Sequence, residues 1–208
     1  MSPTAMLARG VAELGLPVPA ETQSKLCDYL ALIAKWNRIH NLTAVRKPGE
    51  MVSGHLLDCL AVAPFLKAST ILDVGSGAGL PGIPLALLWP RARVTLLDSN
   101  HKKAAFLRQA VIELGLQNAE AICARVEMWQ SPNQYDLVIS RAFSDVAEFL
   151  RLAGPQCAVH GTVAAMKGVY PYAEIAEMPQ DFKLKSVTAL KVPGLRGERH
   201  LVLLTPQR

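Results

Sequence analysis

The residues of this chain best suited to chemistry lie where a short apolar run breaks into glycines: Ile71-Leu72-Asp73-Val74-Gly75-Ser76-Gly77-Ala78-Gly79-Leu80-Pro81-Gly82. The β-branched start reads as a buried strand, and Pro81 falls where the first turn of a helix tolerates a missing N–H. Between them, glycines at 75, 77 and 79 let backbone approach a ligand closely, because no Cβ intervenes. Such a loop suits a nucleotide-type cofactor. Gly77 to Gly82 also satisfies G-x-G-x-x-G, the dinucleotide fingerprint. Asp73, however, sits beside the loop, where a carboxylate would repel a pyrophosphate but suits a cofactor carrying an ammonium and a sulfonium. A second apolar run, Ala92 to Asp98, ends in an acid 23 positions after Gly75. An acid at that strand end can accept hydrogen bonds from two ribose hydroxyls. Asp98 therefore argues for a nucleoside without choosing which.

Composition narrows the setting. Half of the 208 residues are hydrophobic, enough for a sizeable core. No run of about eighteen apolar residues is present, so no membrane span is expected, and the N-terminus lacks a secretory pattern. The four cysteines, at 27, 59, 123 and 157, are far apart and form no CxxC, so neither a metal site nor a disulfide framework is expected. A cytoplasmic location follows as the expectation. The formal net charge of +5 favours a polyanionic partner. Its cations gather around Lys35, Arg38, His40, Arg46 and Lys47.

These groups need elements to position them. Residues 1–66 read as a small N-terminal helical appendage: a helix through Leu7, Val11 and Leu14, a second over 20–39 with Leu26, Leu30, Ile33 and Trp36 on one stripe, and a third over 50–65 carrying His55 and Asp58. From residue 67 to 208 strands and helices alternate, the signature of a parallel sheet with crossovers. Helices are expected from Pro81 to Trp89, from a cap at Ser99 to Leu114, and from Ser144 to Ala153. Strands are expected at 119–123, 135–140 and 162–166. Two longer strands, Phe182 to Val192 and His200 to Leu204, then close the chain. The fold class is α/β: a Rossmann-like, mostly parallel sheet with a terminal antiparallel hairpin.

The spacing Asp73-x-Gly75-x-Gly77-x-Gly79 is similar to the first motif of S-adenosylmethionine (SAM) methyltransferases. A closer resemblance extends over almost the whole chain. Trp36-Asn37, Asn41-Leu42-Thr43, His55-Leu56-Leu57-Asp58, Leu80-Pro81-Gly82-Ile83-Pro84, Arg125-Val126-Glu127, Ser140-Arg141-Ala142-Phe143, Lys167-Gly168 and Gly197-Glu198-Arg199-His200 resemble the GidB/RsmG family of bacterial 16S rRNA guanine-N7 methyltransferases. That resemblance implies SAM as cofactor, with Gly75, Leu80, Val126, Glu127 and Arg141 in contact with it beside Asp73, Gly77, Gly79 and Asp98. Amides from Gly75 to Gly79 would face its carboxylate. Arg141, Arg125, His55 and Asn41 would position the substrate rather than move protons. Arg38, Arg46, Lys47, Lys102, Lys167 and Arg199 would face RNA. The partner expected is 16S rRNA in the small ribosomal subunit, met by a monomer, with neither DNA nor membrane. Cys59, Ala124 and His40 depart from the residues usual in that family.

Guanine N7 carries an in-plane lone pair at neutral pH, so its methylation asks for alignment more than for a base. Consistent with this, no Asn/Asp-Pro-Pro-Tyr/Phe follows the fourth strand to grip an exocyclic amine, and no Pro-Cys pair offers a nucleophile; Pro155-Gln156-Cys157 is not one. Because the methylated ring is cationic, Arg125, Arg141 and Lys167 are expected to face guanine O6 or phosphates rather than N7. A ribosome-assembly factor that binds RNA and SAM without transferring methyl remains open on these residues, as does a nicotinamide-dependent oxidoreductase.

Overall fold

The computed structural model describes residues 1–143 and 145–207. Its centre is one seven-stranded sheet: β1 (Thr70–Val74), β2 (Arg93–Asp98), β3 (Ala119–Cys123), β4 (Tyr135–Ser140), β5 (Cys157–Lys167), β6 (Phe182–Ala189) and β7 (His200–Pro206). The order across the sheet is β3-β2-β1-β4-β5-β7-β6. The first five strands pair in parallel, and β7 runs antiparallel between β5 and β6. The direction of winding reverses at β1 and β4, which leaves a crevice at their carboxyl ends where ligands of open α/β sheets bind.

Both faces are covered, so the central strands are apolar on alternate sides. Ile71, Leu96, Leu137 and Ile139 face one core and Leu72, Leu97, Val138 and Val163 the other. The first core is built with α1 (Pro3–Glu13), α2 (Ala20–His40), α5 (Gly82–Leu88) and α6 (His101–Glu113). Between α2 and the sheet runs a composite helical stretch: α3 (Pro48–Met51), a π-helical turn over Val52–Leu57, and α4 (Asp58–Leu60), with a separate 3-10 turn at Ala63–Phe65. The second core is closed by α7 (Val146–Ala153), and the short α8 (Tyr172–Ala176) follows β5.

Several expected boundaries move. The third helix is not one regular helix over 50–65, because its middle widens into the π-turn that carries His55. The cap of α6 is Asn100, whose side chain accepts from the amides of Lys102 and Lys103, and not Ser99. The helix expected from 144 starts at Val146 with Asp145 as its cap, and Ser144 lies outside the described residues. Strand β5 is eleven residues long, because its amino-terminal half reaches back to pair Cys157 with Tyr135 across an irregularity. The penultimate strand ends at Ala189 rather than Val192.

Asp73 near the end of β1 organises the turn into α5. It is fully buried, and its Oδ2 accepts from Ser76 Oγ at 2.6 Å and from the Gly82 amide at 2.9 Å. A Cβ on Gly82 would lie 2.7 Å from that same oxygen, so the helix can start this close to the carboxylate only with glycine there. Burial pushes the Asp73 carboxyl up to about 6, against the hydrogen bonds from Ser76 and Gly82 that pull it down. In an unfolded chain the value is about 3.9. Between those two values the folded protein keeps a proton that the unfolded chain has lost. This group therefore makes stability fall as pH rises from about 4 to about 6, and adds nothing further above that. Urea unfolding at a series of pH values is expected to show the native protein losing roughly 2–3 kcal/mol relative to Asp73→Asn across this window, at about 1.4 kcal/mol per unit. A difference that does not vary with pH would contradict the assignment.

Candidate functional site

At the carboxyl ends of β1 and β4 the chain forms two neighbouring cavities that share Thr43 and Arg141 as walls. The first, about 160 Å³, lies over the glycine loop and is lined by Gly75, Ser76, Gly77, Ala78 and Leu80 with Leu42 and Ala142. Gly75 adopts a φ of 66°, and a Cβ there would sit 2.9 Å from the Ala142 Cβ. Backbone is thus presented bare to the space in front of it. Asp98 lies beside the loop, with Oδ2 accepting from the Gly77 amide at 2.9 Å and Oδ1 from the Asn100 amide at 2.8 Å. Each carboxylate oxygen has a second lone pair for a ribose hydroxyl. The residues present fit a nucleoside cofactor at this place.

The loop's amides are less free than the sequence suggests. Those of Ser76, Gly77 and Gly79 are engaged inside the protein, by Leu97 O, Asp98 and Ser76 O respectively. Asp73 likewise works beneath the loop, its carboxylate turned to Ser76 and Gly82. From the other side, the fully buried Tyr29 of α2 donates its hydroxyl to the Ala78 carbonyl. Burial holds that phenol protonated, well above its ordinary pKa. Val126 and Glu127 form a short 3-10 turn after β3, with Val126 buried and Glu127 exposed near Arg125 at 3.6 Å.

The second cavity, about 430 Å³, is rimmed by cations that carboxylates hold in place. Buried Asp58 takes Arg141 Nη1 on Oδ2 at 3.1 Å and lies 3.2 Å from Arg199 Nε through Oδ1. Arg141 Nη1 also donates to the Gly54 carbonyl at 2.9 Å. Lys167 pairs with Glu174 at 2.8 Å. Burial raises the Asp58 carboxyl, while the two guanidiniums oppose the rise. His55 sits in the π-turn with Nε2 3.0 Å from Thr43 Oγ1, and its Nδ1 is buried without a hydrogen-bond partner. Burial lowers its pKa, and the Arg141 charge adds to that, so the ring is neutral at physiological pH.

The structure thus brings together Gly75, Gly77, Leu80 and Arg141 at the first cavity, and His55, Lys167 and Arg199 at the second. Gly79 is buried in the loop against Ile83 and Tyr29. Asn41 lines neither. It ends α2 in the left-handed region at φ 47°, and its Oδ1 accepts from Arg46 at 3.3 Å. Arg125, Arg38 and Lys102 are exposed, and Lys47 pairs on the surface with Glu50. Three residues escaped sequence reasoning. Thr43 forms the shared wall, and buried Asn37 holds it through Nδ2 to Thr43 O and Oδ1 from Thr43 N, at 3.0 and 2.9 Å. Asp58 anchors both arginines. The motif pairing of residues 36–37 with 41–43 was the available signal for Asn37 and Thr43, and the motif His55-Leu56-Leu57-Asp58 was that for Asp58, but neither motif assigns a role to any of the three.

The chain matches, over residues 22–202, the GidB family described as rRNA small subunit methyltransferase G. It is 54% identical to "Ribosomal RNA small subunit methyltransferase G" of Nitrosospira multiformis, the alignment covering 98% of each chain. It is also 54% identical to the protein of that name from Laribacter hongkongensis, over 95% of this chain and 96% of the relative. Among solved structures, a SAM dependent methyltransferase from Aquifex aeolicus superposes with a TM-score of 0.59 at 19% identity, covering 76% of this chain and 93% of the other. TrmN from Thermus thermophilus gives 0.55 at 21% identity, covering 71% and 47%. Those likenesses place the sheet among methyltransferase folds. With a family match over most of its length and close relatives aligned nearly end to end, this chain belongs to the GidB family of rRNA small subunit methyltransferases.

Proposed function

We propose that the chain transfers a methyl group from SAM to N7 of a guanine in 16S rRNA, acting on RNA of the small ribosomal subunit as a cytoplasmic monomer. The observation that carries this reading is the pair of cavities meeting at Thr43 and Arg141, one framed by bare loop backbone and the other by cations. Residues 67–208 supply the cofactor side in this reading. Residues 1–66 are the helical part that completes both cavities, through Leu42 and Thr43 at the first and Thr43, His55 and Asp58 at the second.

SAM, when bound, supplies an electrophilic methyl on a sulfonium that leaves as a neutral thioether. Guanine N7 already holds an in-plane lone pair, so accepting that methyl would ask no residue of this chain to remove a proton. Gly75, Gly77 and Leu80 shape the floor of the cofactor cavity. Asp98 would hold the ribose hydroxyls, and Val126 and Glu127 would meet the adenine edge. Asp73 holds the loop from below. Arg141 faces the cofactor cavity and, with Lys167 and Arg199, lines the substrate cavity toward phosphates. Arg38, Arg46, Lys47, Lys102 and Arg125 extend the basic surface outward, and Asn41 contributes by holding Arg46. His55 meets Thr43 through Nε2 and has its Nδ1 buried, so it shapes the wall between the cavities.

Single-turnover transfer from labelled SAM to small-subunit RNA tests this directly, with 7-methylguanosine as the expected product after digestion. At saturating RNA the rate should stay nearly flat from about pH 8.5 down to about pH 5.5, below the histidine reference value of about 6.5, where a His55 base with its pKa lowered by burial would titrate. A unit-slope rise with pH that disappears in His55→Ala would mean a general base. SAM binding with no transfer to any RNA would favour a non-catalytic assembly factor. Asp98→Ala is expected to weaken SAM binding by roughly 1.5–3 kcal/mol, as for hydrogen bonds to a charged group. Unchanged affinity by calorimetry in a folded variant would remove Asp98 from the site. Replacing Arg38, Arg46, Lys47 and Lys102 together should weaken RNA binding and leave SAM affinity alone. The salt dependence of RNA binding should flatten by roughly 0.7–0.9 in log–log slope for every phosphate that is no longer neutralised. An unchanged slope would make them ordinary solvated cations.

A further inference from the structure

The commonest base-specific contact of an arginine is a fork onto guanine O6 and N7. A site that methylates N7 yet is lined with arginines therefore contains a conflict. The hydrogen bond that would hold the base most tightly also occupies the lone pair that must attack carbon. Asp58 bears on that conflict. Its side chain is 3% exposed, beneath the cavity floor, and both of its oxygens face arginines that line the cavity. Arg141 spends Nη1 on Asp58 and on the Gly54 carbonyl. Arg199 turns Nε to Asp58 and donates Nη1 to the Glu198 carbonyl at 2.7 Å. Arg141 is thereby held by hydrogen bonds and Arg199 by an ion pair with Asp58 and a hydrogen bond to Glu198, and a single buried negative charge offsets two positive ones.

We propose that Asp58 is a positioning residue that holds Arg141 and Arg199 off the N7 edge of the target guanine, keeping its lone pair unpaired in the bound complex. The inference rests on the guanine-N7 reading above. Without the carboxylate, each guanidinium keeps only a single backbone carbonyl, of Gly54 or Glu198, and can turn into the cavity to take O6 and N7 together. The base would then bind more tightly and react more slowly. The offset charge matters to the transfer too, because a ring that becomes cationic is repelled less in a cavity of lower net positive charge.

A pair of 16S rRNA fragments tests this, one with guanine and one with 7-deazaguanine at the methylated position. Binding is measured with S-adenosylhomocysteine present. In the native protein both fragments should bind with the same affinity within about twofold, because N7 accepts no hydrogen bond. This measurement needs no variant and is indifferent to whether a substitution folds. In Asp58→Asn the guanine fragment should bind at least about tenfold more tightly than the 7-deaza fragment, the low end for a hydrogen bond to a charged group. Its single-turnover methylation should slow by a similar factor. A merely structural role for Asp58 would weaken both fragments equally, and that result overturns the proposal. So does weaker binding of the 7-deaza fragment by the native protein while the guanine fragment is still methylated. Failure of the native protein to methylate N7 at all would instead overturn the functional reading, and this inference with it.

Discussion

A glycine loop has no side chains with which to hold itself, and here its shape is set from beneath by the Asp73 carboxylate. Oδ2 ties Ser76, inside the loop, to the Gly82 amide at the start of α5. The end of the strand, the loop and the helix are thereby fixed to one atom. Such a clamp must be buried to be stiff, and burial is what raises the Asp73 carboxyl toward neutral pH. Removing a buried acceptor of this kind costs about 1–3 kcal/mol for each partner left unpaired. The Tyr29 hydroxyl grips the Ala78 carbonyl from the opposite side. The loop is held between the sheet and α2, so its shape depends on both parts of the chain.

That dependence explains why the N-terminal helices cannot be set apart as an ornament. Leu26, Tyr29 and Ile33 of α2 are buried in the same core as Ile83 of α5 and Ile71 of β1. Further along α2, Asn37 satisfies both backbone groups of Thr43 and so builds the wall between the two cavities. Thr43 in turn meets His55 in the π-turn. A π-turn widens the backbone by one residue, a feature found often at functional sites because it re-aims a side chain. Here it places Gly54, His55 and Asp58 together on the substrate cavity.

The central strands were legible because each is a short apolar run between breakers, and a strand buried on both faces must read that way. The glycine loop and Asp98 were legible for a related reason, since close backbone approach and a strand-end acid are both written locally. What was not legible depends on distance along the chain. Asp58 and Arg141 are 83 positions apart and meet only after the sheet forms, so the motif that contains Asp58 gave no sign of its partners. The engagement of loop amides by Leu97 O and Asp98 needs the pairing of β1 with β2 before it can be seen. The π-turn escaped because apolar spacing of this kind cannot separate a regular helix from one widened in the middle.

Charge placement is the thread that joins these features. A methyl transfer that carries positive charge from sulfur onto a purine gains from cations near phosphates and is opposed by cations near the ring. The substrate cavity is built accordingly, with Asp58 paired to Arg141 and Arg199 and Glu174 paired to Lys167. A buried carboxylate between two guanidiniums contributes little to stability once desolvation is counted. Its value lies in direction, because guanidiniums fixed on one edge can offer ligands only the other. Arg141 lines both cavities, and Asp58 and the Gly54 carbonyl fix which of its nitrogens remain turned to them. In the proposed reaction one side chain, aimed by one buried acid, would set how the two ligands meet.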